Sequence, residues 1–271
     1  MTKYRYNFTI MDRKQVLESF GELLDIMDTL REQCPWDSEQ TLESLRTLTI
    51  EETYELSEAI LKGNLQEVSK ELGDLLLHIV FYAKIGQEKG AFGIGDVISQ
   101  LSEKLKFRHP HIFGDIRADT SDTVIKNWEH LKAKEKNGNK SVLSGVPAGL
   151  PALIKAFRIQ DKARAMGFDW EKREQVWDKV QEELEEFRVE WEKEDADKME
   201  AEFGDLLFAL VNAARLYGIN PEDALERTNR TFIARFGYLE EKTIKRGRSL
   251  EEMTLSQMNE IWEEAKIKAK D

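Results

Sequence analysis

The sequence predicts an all-α protein built from two tandem helical-bundle domains of about five helices each. Three observations predict it. Apolar residues recur three and four positions apart over long stretches rich in Glu, Lys, Leu and Ala, which gathers them on one face of a helix. Proline occurs only five times in 271 residues, and strand-like alternation is nearly absent. A long, spaced acidic pattern occurs twice, 131 residues apart, which marks an internal repeat.

The elements follow in order. Leu17, Phe20, Leu24, Met27 and Leu30 form the stripe of a helix over about 12–32. Helices over about 41–61 and 65–89 flank a short break at Gly63 and Asn64, and Leu72, Leu75, Leu76, Ile79 and Val80 form the stripe of the second. Helices over about 94–107 and 120–136 complete the first half. No helical pattern survives the stretch NGNKSVLSGVPAGLP at 137–151, rich in Gly, Ser and Pro. The linker is placed at 139–149, between domains 1–138 and 150–271. The second half reads as helices over about 150–166, 171–193, 196–217, 221–245 and 252–269, with Leu206, Leu207, Leu210 and Val211 as the stripe of the third.

Charge and cysteine content narrow the function. The net charge is -12, from 52 acidic and 40 basic residues. A binder of nucleic acid polymer carries a basic face instead. A small anionic substrate stays open, because a bound cation masks local acidic charge. Cys34 is the single cysteine, so no disulfide forms within the chain, as suits a reducing cytoplasm. No run approaches the ~20 apolar residues of a membrane-spanning helix, and a cytoplasmic protein away from membranes is expected.

The repeat carries the chemistry. Glu71-Leu-Gly-Asp-Leu-Leu returns as Glu202-Phe-Gly-Asp-Leu-Leu, and Glu51-Glu52-x-x-Glu55 returns as Glu182-Glu183-x-x-Glu186. Trp128-Glu-x-x-Lys132 matches Trp262-Glu-x-x-Lys266. Glu52 and Glu55 share a helix face, as do Glu71 and Asp74. Two antiparallel helices pair residues equidistant from their turn. Glu55 and Glu71 each lie eight residues from Gly63, and Glu52 and Asp74 each lie eleven. About residue 194, Glu186 pairs with Glu202 and Glu183 with Asp205 in the same way. Four facing carboxylates repel one another and are costly to desolvate. A bound cation resolves this, and ligands that are all oxygen favour Mg²⁺, or Mn²⁺ as a substitute, over zinc. Ordinary solvated glutamates are the plain alternative for one such motif, and the duplication argues against it. Gly73 and Gly204, inside helices where glycine costs about 1 kcal/mol relative to alanine, suggest close helix approach or a packing accident.

The sequence also resembles the MazG family of the all-α NTP pyrophosphatase superfamily. The matching motifs are CPWD at 34–37, EETYE at 51–55, ELGDLL at 71–76, RHPHIF at 108–113, GFDW at 167–170, EELEE at 182–186 and EFGDLL at 202–207. They cover nearly the whole chain after about residue 12, in order. The resemblance implies hydrolysis of nucleoside triphosphates, NTP and dNTP, between the α- and β-phosphates, with house-cleaning of the nucleotide pool as a possible role. It implies a magnesium site formed by Glu52, Glu55, Glu71 and Asp74 and a second formed by Glu183, Glu186, Glu202 and Asp205, with Glu52, Glu55, Glu183 and Glu186 catalytic. It implies nucleotide contacts from Lys104, Arg108, Trp128 and Lys132 in the first half and from Arg235, Trp262 and Lys266 in the second. Thr231 stands where the pattern expects the lysine that Lys104 supplies, with Arg230 close enough to compensate. The resemblance implies a helical homodimer; packing of the two halves within one chain is the alternative cover for the apolar stripes.

The remaining polar residues have structural readings. Pro110 breaks the helix between His109 and His111, so the pair reads as a helix end rather than a ligand pair. His78 has Ala209 as its counterpart and reads as a partly buried helix histidine. Trp36 and Trp170 suit pocket and core equally, and Cys34 reads as inert. Glu51 and Glu182 are candidate water-orienting bases or surface acids. A ferritin-like di-iron site typically uses Glu-x-x-His pairs, where this chain has Glu-x-x-Asp. A non-catalytic nucleotide-binding or regulatory protein of the same fold is the other alternative, and the intact acidic quartets oppose it.

Overall fold

The computed structural model describes residues 11–114, 120, 123–124, 131, 141–245, 247 and 249–268. The described residues are helical, with no strand among them. Contacts divide the chain into two compact units, Met1–Asp115 and Ile116–Asp271. No helix among the described residues is long and apolar enough to cross a membrane.

The first unit contains α1 (Arg13–Gln33), α2 (Pro35–Glu39), α3 (Leu42–Lys62), α4 (Leu65–Glu88), α5 (Ile94–Arg108) and α6 (Pro110–Phe113). Local chemistry sets the boundaries. Asp12 opens α1 by accepting from the Gln15 N–H, while Gln15 Oε1 accepts from the Asp12 N–H, both at 2.9 Å. This reciprocal cap satisfies two backbone donors that a helix start leaves over. Thr41 and Ser44 form the same arrangement at α3. Met27 of α1, Leu45 of α3, and Val80, Phe81 and Ile85 of α4 form the core, with Phe20, Leu24, Leu48 and Leu77 packed against it. Arg31 of α1 ties down the chain after α2. Its guanidinium reaches the Asp37 carbonyl, lies 3.2 Å from the Ser38 carbonyl and 3.1 Å from the Gln40 carbonyl, and pairs with Glu88 of α4.

The second unit contains α7 (Ala152–Ala165), α8 (Val176–Glu192), α9 (Ala196–Leu216), α10 (Pro221–Ile244) and α11 (Leu255–Lys268). Single 3₁₀ turns sit at Leu143–Gly145, Arg173–Gln175 and Leu250–Glu252. They account for the two helices that begin later than the sequence pattern suggests. Lys172 and Gln175 close a tight turn before α8, and Thr254 accepts from the Gln257 N–H to start α11. The described end of the expected linker belongs to this unit, where Lys155 Nζ donates to the Ala148 carbonyl at 2.6 Å. The helix expected over 120–136 falls largely outside the described residues.

Each unit has at its centre a hairpin of two long helices. Gly63 ends α3 in the left-handed region at φ 67°, and Asn64 begins α4 by accepting from the Gln66 and Glu67 N–H groups. The reversal thus takes two residues. The second hairpin reverses 131 residues on, with Lys193 also outside the helices, so that its turn takes three residues. Glu194 has φ 57°, and Asp195 caps α9 by accepting from the Lys198 N–H. Glutamate therefore adopts a conformation that glycine adopts without steric penalty.

The apolar stripes are only partly buried. Val80, Leu206 and Val211 are covered, but Leu72, Leu76 and Ile79 of α4 are exposed, and so are Phe203, Leu207 and Leu210 of α9. The two triplets are related residue by residue by the same offset of 131. An added Cβ at Gly73 or Gly204 would meet nothing within 4 Å, so neither glycine serves a close helix approach inside its unit.

Glu194→Gly is expected to stabilise the protein. Relief of the left-handed glutamate outweighs the added freedom of the unfolded chain by about 0.5–1 kcal/mol. The urea midpoint of unfolding checks this; a midpoint equal to or below the parent's would contradict it.

Candidate metal centre

The tight reversal of each hairpin brings its acidic pairs face to face. In the first unit Glu52 and Glu55 of α3 and Glu71 of α4 each place a carboxylate oxygen within 4.8 Å of the other two. Glu71 is 6% exposed. Lys70 Nζ lies 3.0 Å from Glu71 Oε1 and 3.5 Å from Asp74 Oδ2, while Glu71 Oε2 is buried without a hydrogen-bond partner. Asp74 lies outside the tight trio but belongs to the same electrostatic group. Loss of solvent raises the Glu52 pKa, and the charges of Asp74 and Glu55 raise it further.

The second unit repeats the arrangement with its own details. Glu183 of α8 and Glu202 and Asp205 of α9 lie within the same mutual distance of 4.8 Å, and Glu182, Glu183 and Glu186 form an overlapping trio. Glu183 is 6% exposed. Desolvation raises the Glu186 pKa, with Glu183 and Glu202 adding repulsion. Lys179 Nζ lies 2.6 Å from both Glu182 Oε1 and Glu183 Oε1, and those hydrogen bonds raise its own pKa.

Both clusters fit a divalent cation. The donors are all carboxylate oxygens, one glutamate in each is nearly buried, and Glu71 holds an oxygen that no group among the described residues satisfies. Buried carboxylates of this kind need a positive partner. Lys70 and Lys179 partly fill that need, and the sequence reading missed both. The signal was present as spacing: Lys70 lies four residues before Asp74, and Lys179 three and four before Glu182 and Glu183. The two lysines are not equivalent. The repeat places Ala201 opposite Lys70 and Leu48 opposite Lys179.

The other candidate residues are placed as follows. Lys104 is exposed on α5, and half-buried Arg108 closes that helix. Trp128 and Lys132 lie outside the described residues. In the second unit Arg235 of α10 stands over the Trp262 ring of α11, 5.8 Å from its centroid. Its Nε is buried without a hydrogen-bond partner. Thr231, Arg230 and Arg235 line one cavity of about 450 Å³ with Tyr238 and Lys268. Arg230 is paired with Glu226 at 2.9 Å, and Lys266 with Glu263 at 2.5 Å. Glu51 is exposed.

The other residues weighed in the sequence are placed as follows. His109 Nδ1 lies 2.7 Å from the Leu105 carbonyl at the end of α5, and Pro110 opens α6. His78 is buried, with Nδ1 2.7 Å from Thr49 Oγ1, which also meets the Tyr82 hydroxyl at 2.6 Å. Trp36 is exposed and takes no part in the core. Trp170 lines a cavity of the second unit. Cys34 is a free thiol between α1 and α2.

The family model of the MazG nucleotide pyrophosphohydrolase domain matches the chain twice, over residues 40–113 and 171–237. Each match contains one acidic cluster. The chain is 47% identical over 250 residues to the nucleoside triphosphate pyrophosphohydrolase/pyrophosphatase MazG of Thermotoga maritima, covering 91% of this chain and 95% of that one. It is 40% identical over 257 residues to the nucleoside triphosphate pyrophosphohydrolase of Escherichia coli K12, covering 92% and 98%. The uncharacterized protein YabN of Bacillus subtilis is 45% identical over 261 residues, which span 95% of this chain and 53% of that protein.

The raised Glu52 pKa has a signed consequence for stability. The folded state holds that proton more firmly than the unfolded chain. The resulting stability is complete below the ordinary glutamate value of 4.5 and is lost as pH rises through the higher folded value. In metal-free buffer at pH 7, Glu52→Gln is therefore expected to raise the melting temperature, by roughly 1–3 °C given solvent screening. At pH 4 the gain is expected to vanish. Thermal melts at the two pH values test this, and an unchanged or lowered melting temperature at pH 7 would contradict it.

Proposed function

The chain belongs to the MazG family, and from that premise we propose that it is a nucleoside triphosphate pyrophosphohydrolase. It cleaves NTP and dNTP between the α- and β-phosphates, releasing a nucleoside monophosphate and pyrophosphate. The observation that carries the reading is the pair of acidic clusters, each inside a family match and each with one nearly buried glutamate. The reading also takes the protein to be cytoplasmic, to act on nucleotides in the pool, and to consist of tandem MazG-like domains at 1–138 and 150–271.

Glu52, Glu55, Glu71 and Asp74 would hold Mg²⁺ in the first domain, and Glu183, Glu186, Glu202 and Asp205 in the second, with Mn²⁺ as a substitute. When bound, the metal neutralises phosphate charge and lowers the pKa of water. The chain's own residues do the rest. Lys70 and Lys179 hold the acidic side chains against their mutual repulsion. The free Nε of Arg235 is a donor for a phosphate oxygen, and Trp262 offers an aromatic face to a base. Lys266, and in the first domain Lys104, Arg108, Trp128 and Lys132, supply the other nucleotide contacts in this reading. Arg230 is engaged by Glu226, so α10 lacks a ready substitute for the cation missing at Thr231. Glu182 is engaged by Lys179, which makes exposed Glu51 the freer of the two water-orienting candidates.

Phosphorus NMR of a completed reaction tests the mechanism. Pyrophosphate and monophosphate are expected with Mg²⁺, and no turnover in EDTA. The variant with Glu52, Glu55, Glu183 and Glu186 all changed to alanine is expected to be inactive while keeping its helicity. Orthophosphate as the main product, or parental turnover by that variant, would overturn the reading.

The assembly is read as a homodimer. Supporting it are the matched exposed triplets Leu72, Leu76, Ile79 and Phe203, Leu207, Leu210, because extended apolar faces are rarely left in water. Light scattering at micromolar concentration is expected to give twice the chain mass of 31.5 kDa; a mass equal to that of one chain would count against it.

A further inference from the structure

The cavity of about 450 Å³ in the second unit opens between α10 and α11, a volume that suits a small ligand or one end of a larger one. Arg230, Arg235 and Tyr238 line it from α10, and Lys268 lines it from α11. The small side chains of Thr231, Ala234 and Ala265 leave the space open. The chain as a whole carries a charge of -12, yet this lining holds three cationic side chains and no acid. A concave surface of one sign focuses its field on a ligand of the opposite sign. The cavity is therefore suited to an anion.

The cations around it differ in what they already hold. Arg230 is paired with Glu226 at 2.9 Å. Arg235 stands over Trp262, with its Nε buried and without a hydrogen-bond partner. Lys266 is paired with Glu263 and does not line the cavity. Lys268 does line it, with its Nζ 5.0 Å from the centroid of the Tyr238 ring. Lys242 shares that ring at 5.3 Å but is paired with Glu264 at 3.2 Å. Glu241, a further acid of this region, is engaged by Lys245. Among the described residues, then, the Lys268 ammonium rests on an aromatic face and on no carboxylate. A ring face attracts an ammonium without consuming its N–H donors as a carboxylate does. Those donors stay available to an anion in the cavity.

The sequence repeat shows which place Lys268 fills. The spacing Lys104-x-x-x-Arg108 returns 127 residues on as Thr231-x-x-x-Arg235. Positions four apart share a helix face, so the second half keeps the arginine and lacks the lysine beside it. α10 offers no replacement, because Arg230 is engaged. Lys268 enters from α11 the same space that Thr231 leaves open on α10. We propose that Lys268 is a phosphate-binding residue of the second domain, standing in for the lysine absent at Thr231, and that Tyr238 is the positioning residue that holds its ammonium in the cavity. The proposal rests on the nucleotide reading, in which Arg235 donates to a phosphate oxygen.

The test uses the full chain carrying Glu52→Ala and Glu55→Ala, so that only the second cluster remains. On this parent Lys268→Met is expected to lower kcat/KM for ATP about tenfold or more, as for loss of a charge-assisted phosphate contact. Thr231→Lys returns a cation from the other helix. Its gain in kcat/KM is expected to be at least threefold larger in the Lys268→Met background than in the parent, because the two lysines serve one place. Tyr238→Leu, which removes the ring, is expected to lower kcat/KM about threefold more than Tyr238→Phe, which keeps it. An unchanged kcat/KM in Lys268→Met, or an equal gain from Thr231→Lys in both backgrounds, would overturn the assignment of Lys268. Equal values for the two Tyr238 variants would overturn the positioning role. If the parent hydrolyses no nucleotide, the functional reading of the second cluster fails, and calorimetry with inorganic tripolyphosphate in metal-free buffer decides the cavity separately. Binding weakened about tenfold by Lys268→Met and recovered by adding Thr231→Lys sustains the proposal, and equal binding by parent and variants rejects it.

Discussion

The register between two antiparallel helices governs the rest of this molecule. In each unit a pair of acids on one helix must meet a pair on the next, and helix spacing alone does not guarantee that. The reversal at Gly63-Asn64, repeated at Glu194-Asp195, sets how far the returning helix has turned when it passes its partner. Positions eight and eleven away on either side of it face each other, although Lys193 adds a third residue to the second loop. The caps at Asn64 and Asp195 hold that start in place by satisfying the backbone donors of the new helix.

Crowding of like charge follows from that register. Raised pKa values at Glu52 and Glu186 are its electrostatic trace, caused first by loss of solvent and then by neighbouring acids. The chain answers with a lysine at each cluster, but from different helices: Lys70 on α4 and Lys179 on α8. Two clusters that share acidic residues by repetition therefore differ in the tethered cation that accompanies them. The units differ further around Phe81 and Asn212, where one closes a core and the other borders a cavity. Repetition has preserved the acidic residues on their paired helices, while their close grouping differs, Glu52, Glu55 and Glu71 in one unit and Glu183, Glu202 and Asp205 in the other.

Much of this was legible in the sequence, and the rest was hidden for physical reasons. The helices, the hairpin pairing and the duplicated carboxylates follow from spacings of three, four and 131. The late starts of α8 and α11 were not legible, because a 3₁₀ turn carries nearly the same local pattern as a first helical turn. Leu72 and Leu207 fall in apolar stripes yet lie exposed, because periodicity reports a shared face without saying what covers it. Lys70 and Lys179 were visible as i, i+4 neighbours of acids, but such pairs are common on any charged helix. The cavity that Trp170 lines depends on a turn that Arg215 pins through Asp169, 46 residues away in sequence, which no local pattern conveys.

The two-residue reversal also divides the chain into segments that tolerate length changes and segments that do not. One residue added between α3 and α4 would turn the whole of α4 by about 100° relative to α3. Every helix would survive intact, yet Glu71 and Asp74 would swing away from Glu52 and Glu55. The glycine- and proline-rich stretch at 137–151 joins no pair of facing acidic helices, so a change of length there leaves both registers intact. Insertions and deletions among descendants of this sequence should therefore accumulate there and stay out of Gly63-Asn64 and Glu194-Asp195, so that these two short loops are the ones least free to change in length.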